Sequence, residues 1–346
     1  MAVYTAINDA GSFFNTKLYT GNGSTDTAIT GVGFQPDFIW FKNRDTTDFH
    51  NCYDSVRGVQ KVLVPNGTDV EYTDDETLLA FGADGFTIGL RSNVNLNTAT
   101  YVAWSWKAGT TSVPSGGDLT PSAVSLNATS GFSIIVYTGT GDTSNTIAHG
   151  LATVPKFMFF KNRDAAMDWV TYNAPLGNTD YMILNNTDAR ATSTTRWNDT
   201  TPTSTLLTIG NTDKLNSDTV DYIGYVFADV QGYSKFGSYV GNGQADGPFI
   251  YTGFRPSFLM IKGATTSGGV WQMYDHLRIG YNIENHFMEA DAVTVEADDD
   301  NLDLLSNGFK VRRVTSSMNT SGDLYLYMAF ARAPLVNSSG VPCNAR

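Results

Sequence analysis

The chain carries three copies of one pattern. A repeat of this kind constrains the fold more than any single motif does, because each copy must form the same supersecondary unit. Every copy opens on Tyr-x-Gly-x-Gly: Tyr19, Gly21 and Gly23; Tyr137, Gly139 and Gly141; Tyr239, Gly241 and Gly243. A proline then begins an apolar run that ends in lysine: Pro36 to Lys42, Pro155 to Lys161, Pro256 to Lys262. Every copy closes on asparagine, tyrosine and a large aromatic at fixed intervals: Asn95, Tyr101, Trp106; Asn216, Tyr222, Phe227; Asn319, Tyr325, Phe330. Copies one and two share Phe-Lys-Asn-Arg-Asp at Phe41 to Asp45 and at Phe160 to Asp164. Copy three reads Ile261, Lys262, Gly263, Ala264, Thr265 there, so it has diverged in its first half.

Strand physics accounts for the repeated positions. In the runs 38 to 42, 157 to 161 and 258 to 262 both alternating faces are apolar, as expected of a strand buried on both sides. The proline, which lacks an N–H, suits the first strand residue, and the lysine is expected where the chain emerges into water. In the closing segment one face is large (Val102, Trp104, Trp106; Ile223, Tyr225, Phe227; Leu326, Met328, Phe330) and reads as core. The other face is mostly small, which lets a second sheet approach. The asparagine reads as turn punctuation and the paired glycines as a hairpin turn. No amphipathic helical stretch of ten residues is found; 74 to 81 could form one helical turn at most.

The predicted fold is therefore all-β, with three tandem antiparallel β-sandwich modules of jelly-roll or concanavalin-like type. Residues 1–107, 132–236 and 237–334 form the modules, the Gly/Ser/Thr/Pro-rich residues 108–131 a linker, and 335–346 a tail. Stability must come from packing, since Cys52 and Cys343 are too few for a disulfide framework. Charged residues make up 16% of the chain against roughly 25% in an average soluble protein, and Thr, Ser, Asn and 33 Gly supply the missing polarity. The net charge of −12 argues against a nucleic-acid partner. The N-terminus does not read as a signal peptide, and no run approaches the ~18 apolar residues of a membrane span, so no membrane insertion is expected.

Little in the sequence points to chemistry. His50, His149, His276 and His286 have no metal spacing, and no GxSxG, P-loop or HExxH is present. No catalytic residue, cofactor or metal is predicted. The acidic group Glu296, Asp298, Asp299, Asp300 and Asp303 reads as a solvated loop, with adventitious Ca²⁺ second. Trp40 reads as core. Trp169 and Trp271 read as cross-strand pairs near Tyr172 and Tyr274. Trp197, set in a polar stretch, is the candidate surface contact, with surface packing as the alternative.

Taken together, the string from Tyr19 to Asp45, residues 54 to 58, 84 to 89 and 101 to 109, and the junction 232 to 243 resemble the β-rich repeat modules of virion structural proteins of tailed bacteriophages, notably those of marine bacteria and cyanobacteria. The resemblance covers about residues 13 to 334. It implies a particle component, often fibre-like, assembled in the host cytoplasm and residing in the virion; it brings no catalytic residues, so the chain is not expected to be an enzyme. The first functional expectation is a tail-associated protein, fibre-like or an adhesin, for assembly and host-surface attachment. Its partners would be other virion proteins, further copies of itself in a homo-oligomer, and a host surface glycan. The alternative is a capsid decoration or cement protein, and a polysaccharide depolymerase comes third.

Overall fold

The computed structural model describes residues 4–343. It consists of antiparallel sheets of six, seven and eight strands with smaller ones of three and two, and the α-helix Ser92–Asn95 is a single turn. The large sheets share one order. An opening strand (Phe14–Thr20, Phe132–Thr138 or Ser234–Val240) pairs with the closing strand (Thr100–Trp106, Asp221–Ala228 or Leu324–Pro334). The closing strand pairs with the proline strand (Phe38–Asn43, Pro155–Asn162 or Phe254–Gly263). The proline strand pairs with a short strand, Asn51–Asp54, Val170–Asn173 or Gln272–Asp275. The register recurs as well: Phe38 lies opposite Trp106, Phe157 opposite Phe227 and Phe258 opposite Phe330.

The doubly apolar runs are buried on both faces, and each face meets a different neighbour. In repeat one, Ile39 and Phe41 pack with Ile29, Phe86 and Ile88 of the small sheet, whereas Phe38 and Trp40 join a central cluster. In repeat two, Met158 and Phe160 pack with Ile147, Leu207 and Ile209, whereas Phe157 and Phe159 join the same central cluster. In repeat three both faces merge into it, and the small-sheet strands Phe249–Tyr251 and Gly308–Val311 continue the large sheet. The closing aromatics meet at the centre of this cluster. Ring centroids of Trp106, Phe227 and Phe330 are 6.4, 5.7 and 5.9 Å apart, a triangle with one corner from each repeat. The repeats thus surround a pseudo-threefold axis and share one apolar core, the arrangement in which each buried ring contributes most.

Several local expectations are corrected. Lys42, Lys161 and Lys262 do not emerge into water; all three are fully buried. Pro155 starts its strand, but Pro36 lies two residues before Phe38–Asn43, and Pro256 lies inside its strand at a register shift, a bulge being another place where a missing N–H is tolerated. The paired glycines are not a hairpin turn, because the opening strand pairs with the closing strand far along the chain, and Thr27–Thr30 lies in a different sheet. Within the stretch expected as a linker, Ala123–Asn127 is a strand on the edge of the seven-stranded sheet. Residues 74 to 81 include part of the strand Leu78–Gly82 and no helix. In the stretch expected as a tail, Ser338 hydrogen-bonds Asn8 through both its hydroxyl and its N–H.

Candidate functional site

The opening and closing motifs meet, and their side chains form one latch built three times. Tyr19 stacks on Tyr101, Tyr137 on Tyr222 and Tyr239 on Tyr325 at 5.0 to 5.3 Å. Each opening tyrosine hydroxyl donates 2.8 Å to a backbone carbonyl, of Val94, Leu215 or Met318. Each closing tyrosine hydroxyl accepts the N–H of the residue after the asparagine, namely Leu96, Ser217 or Thr320. The buried asparagines complete the latch. Asn95 Oδ1 accepts from Asn22 N, Asn216 Oδ1 from Thr140 N, and Asn319 Oδ1 from Asn242 N, while their amides donate to Ser24, Asp142 and Gln244 carbonyls. A Cβ on Gly21, Gly139 or Gly241 would lie 2.2 Å from a carbonyl oxygen. Close backbone approach is therefore why glycine recurs there.

The buried lysines act between repeats. Lys42 Nζ donates to Thr46 and Asp48 carbonyls in its own repeat and to Val293 O of repeat three. Lys161 reaches Thr68 O of repeat one, and Lys262 reaches Asn186 O of repeat two as well as Gly269 O. Burial lowers each ammonium to about 8, and the carbonyl ligands satisfy the donors that burial would otherwise strand. The indoles follow the same path. Trp169 Nε1 donates 2.8 Å to Val64 O of repeat one, and Trp271 Nε1 donates 3.0 Å to Ile183 O of repeat two. His50, at the corresponding place in repeat one, faces the Glu289 and Ala292 carbonyls of repeat three; burial first, then Lys42, pushes it well below the ordinary imidazole value. The expected pairing of Trp169 with Tyr172 does not form, since the two lie on opposite faces of the sheet. Nor does Trp271 stack on Tyr274; it meets Phe157 of repeat two.

Buried charge closes two of the three seams. Where repeats one and two meet, Arg57 pairs with Asp54 at 2.6 Å and Glu71 at 2.9 Å, Arg163 adds a two-pronged contact to Glu71, and the Tyr225 hydroxyl donates 2.7 Å to Asp54. Burial alone would raise Glu71, but the Arg163 and Arg57 guanidiniums hold it at about 2. Where repeats three and one meet, Arg278 pairs with Asp275 and Glu296, Arg44 grips Glu296 at 2.7 and 3.0 Å, and Trp104 Nε1 donates to Asp275. Glu296 is thus a half-buried ion-pair partner and not part of a solvated loop, and Ala297–Leu305 is a strand. Among the described residues, no group of three or more His, Cys, Asp or Glu is placed to hold a metal ion.

Trp197 also lies elsewhere than expected. It is 1% exposed, packs on Phe160 and Tyr172, and donates to Asp180 O. Its polar sequence neighbours conceal an aromatic anchor beneath them. Two open clefts involve repeat three. One of about 730 Å³ is lined by Arg255, Tyr281, Asn282, Ser306, Arg332 and Cys343; another of about 400 Å³ lies beside Tyr4 and Tyr251. Neither was signalled by the repeats, because their residues are not repeat positions.

No curated protein and no solved structure matched the chain. A family model described as a domain of unknown function, DUF7483, matches residues 9–334, and the chain belongs to that family.

Proposed function

We propose that this chain is a structural protein of tailed-bacteriophage virions, tail-associated, whose three repeats are jelly-roll or concanavalin-like sandwich units arranged for assembly and host-surface attachment. One observation carries the reading: the side chains that recur in two or three repeats are spent on holding the repeats to themselves and to each other. The asparagines and tyrosines latch turns, the lysines and indoles cap carbonyls of the neighbouring repeat, and the arginines neutralise buried carboxylates. Such a sequence maintains a rigid platform whose variable surface is free to make contacts. Repeat three, the diverged copy, contributes to both clefts and carries the exposed Phe249, Tyr251 and Tyr281.

Purified chain incubated with host cells and recovered by sedimentation tests attachment, and labelled antibody on intact particles tests placement. The expected result is saturable retention on cells and label at the tail. Label confined to the head in numbers set by capsid symmetry, with no retention on cells, would overturn the reading.

A further inference from the structure

We propose that the smaller cleft on repeat three binds an uncharged sugar chain; the inference rests on the attachment reading and names its ligand class. The cleft lies where three segments converge: the N-terminal residues from Tyr4, the turn joining repeats two and three from Asp229 to Lys235, and the strand Phe249–Tyr251 with its following turn. Its volume of about 400 Å³ is within the range of small-ligand sites. Tyr4 and Tyr251 are exposed there at 51% and 54%. A tyrosine ring with a free face can stack on the apolar C–H face of a pyranose ring.

The polar groups of the cleft suit hydroxyls. Asp229 Oδ1 accepts the Phe236 N–H at 2.8 Å, which fixes the carboxylate. The Lys235 ammonium lies 5.9 Å from the Tyr251 ring centroid, and Gln231 and Ser234 add an amide and a hydroxyl. The cleft thus offers both acceptors and donors together with two exposed aromatic rings. Asp229 is offset by the Lys235 and Lys156 ammoniums, so the cleft has no excess of positive charge to hold a phosphate or uronate against a chain of net charge −12. The walls are fixed before any ligand arrives. Ala6 N and Thr5 Oγ1 both donate to Gln231 O, and a Cβ on Gly232 would lie 2.4 Å from Thr5 Oγ1. The site is specific to repeat three: Tyr251 lies opposite Gly308, and the residue in that register in repeat one, opposite Gly85, is Thr30.

Full-length chain is screened on an array of maltohexaose, cellohexaose, laminarihexaose, xylohexaose and mannohexaose. Captured ligands are then titrated calorimetrically against wild type, Tyr251→Ala, Tyr251→Phe, Tyr4→Ala and Asp229→Asn, with thermal unfolding as a folding control. The expected result is capture of at least one oligosaccharide, weakened roughly tenfold in Tyr251→Ala, the scale of one lost aromatic contact, and kept in Tyr251→Phe. Capture unchanged by Tyr251→Ala and Tyr4→Ala in folded protein would overturn the site. A silent array with host cells still retaining the chain would overturn the sugar cleft and leave attachment standing. Capture without retention on cells would keep the cleft and overturn attachment.

Discussion

The seam between repeats two and three differs from the other two, and the difference shows which contacts build the ring and which only seal it. The backbone contact at the arginine turn is kept in all three: Glu71 N donates to Arg163 O, Glu296 N to Arg44 O and Arg190 N to Ala264 O, at 2.9 to 3.1 Å. A lysine also crosses each seam to a carbonyl. The charges are not kept. Where two seams place Asp, Arg and Glu, repeat two has Asn173, Leu176 and Arg190, and where those seams supply an arginine, repeat three has Ala264. The buried donor onto the aspartate, Tyr225 or Trp104, is matched in repeat three by Met328. The whole set is absent from this seam, where Arg190 instead pairs with Asp180 of its own repeat. That is expected when removing one partner strands a buried charge, whereas replacing all of them with apolar groups is close to neutral.

Trp106→Ala should have the largest effect, about 3–5 kcal/mol of stability in urea titration, because it removes the largest ring of the triangle, which also packs on Phe14, Phe38 and Phe258. Arg57→Leu should cost about 3 kcal/mol by stranding the buried Asp54, while Glu71 keeps Arg163. Asp54→Asn, Arg57→Leu, Glu71→Arg and Arg163→Ala made together should cost less than Arg57→Leu alone. A larger loss for the combined variant would show that the charges, and not their pairing, hold that seam. Asn95→Ala, Asn216→Ala and Asn319→Ala should each cost about 1–3 kcal/mol by leaving turn N–H and C=O groups unmet, and by similar amounts, since the latch does not depend on the seams.

The smallest effect separates the two charged seams by pH. Burial raises Glu284, beside the Arg278 triad, to about 8; Arg278 opposes this, and Asp275 and Glu296 add to it. An unfolded glutamate titrates near 4.3, so the protonated carboxyl favours the fold below that pH, and this contribution is lost as pH rises through 8. Glu284→Gln should therefore raise the melting temperature at pH 9, by an effect on the order of 1–2 kcal/mol, and leave it nearly unchanged at pH 4.

Local packing was legible in the sequence. The strands with two apolar faces, the large face of Val102, Trp104 and Trp106, and the absence of long helices among the described residues all follow from short-range periodicity. The seams were not, since Lys42 and Val293 are far apart in sequence and a lysine after an apolar run ordinarily marks the surface. A signal was nevertheless present. Aligning the repeats places Glu71, Arg190 and Glu296 in one column and Arg44, Arg163 and Ala264 in another, and their joint change marks a contact. Trp197 was misplaced because exposure was inferred from its neighbours. The clefts left no trace, because they are made from residues that differ between repeats.

Calorimetric unfolding of the whole chain tests the shared core most directly. If the aromatic triangle joins the repeats, heat absorption forms one transition with calorimetric and van't Hoff enthalpies equal, and Trp106→Ala moves the whole of it. Two or three separable transitions, with Trp106→Ala shifting only one, would contradict the account.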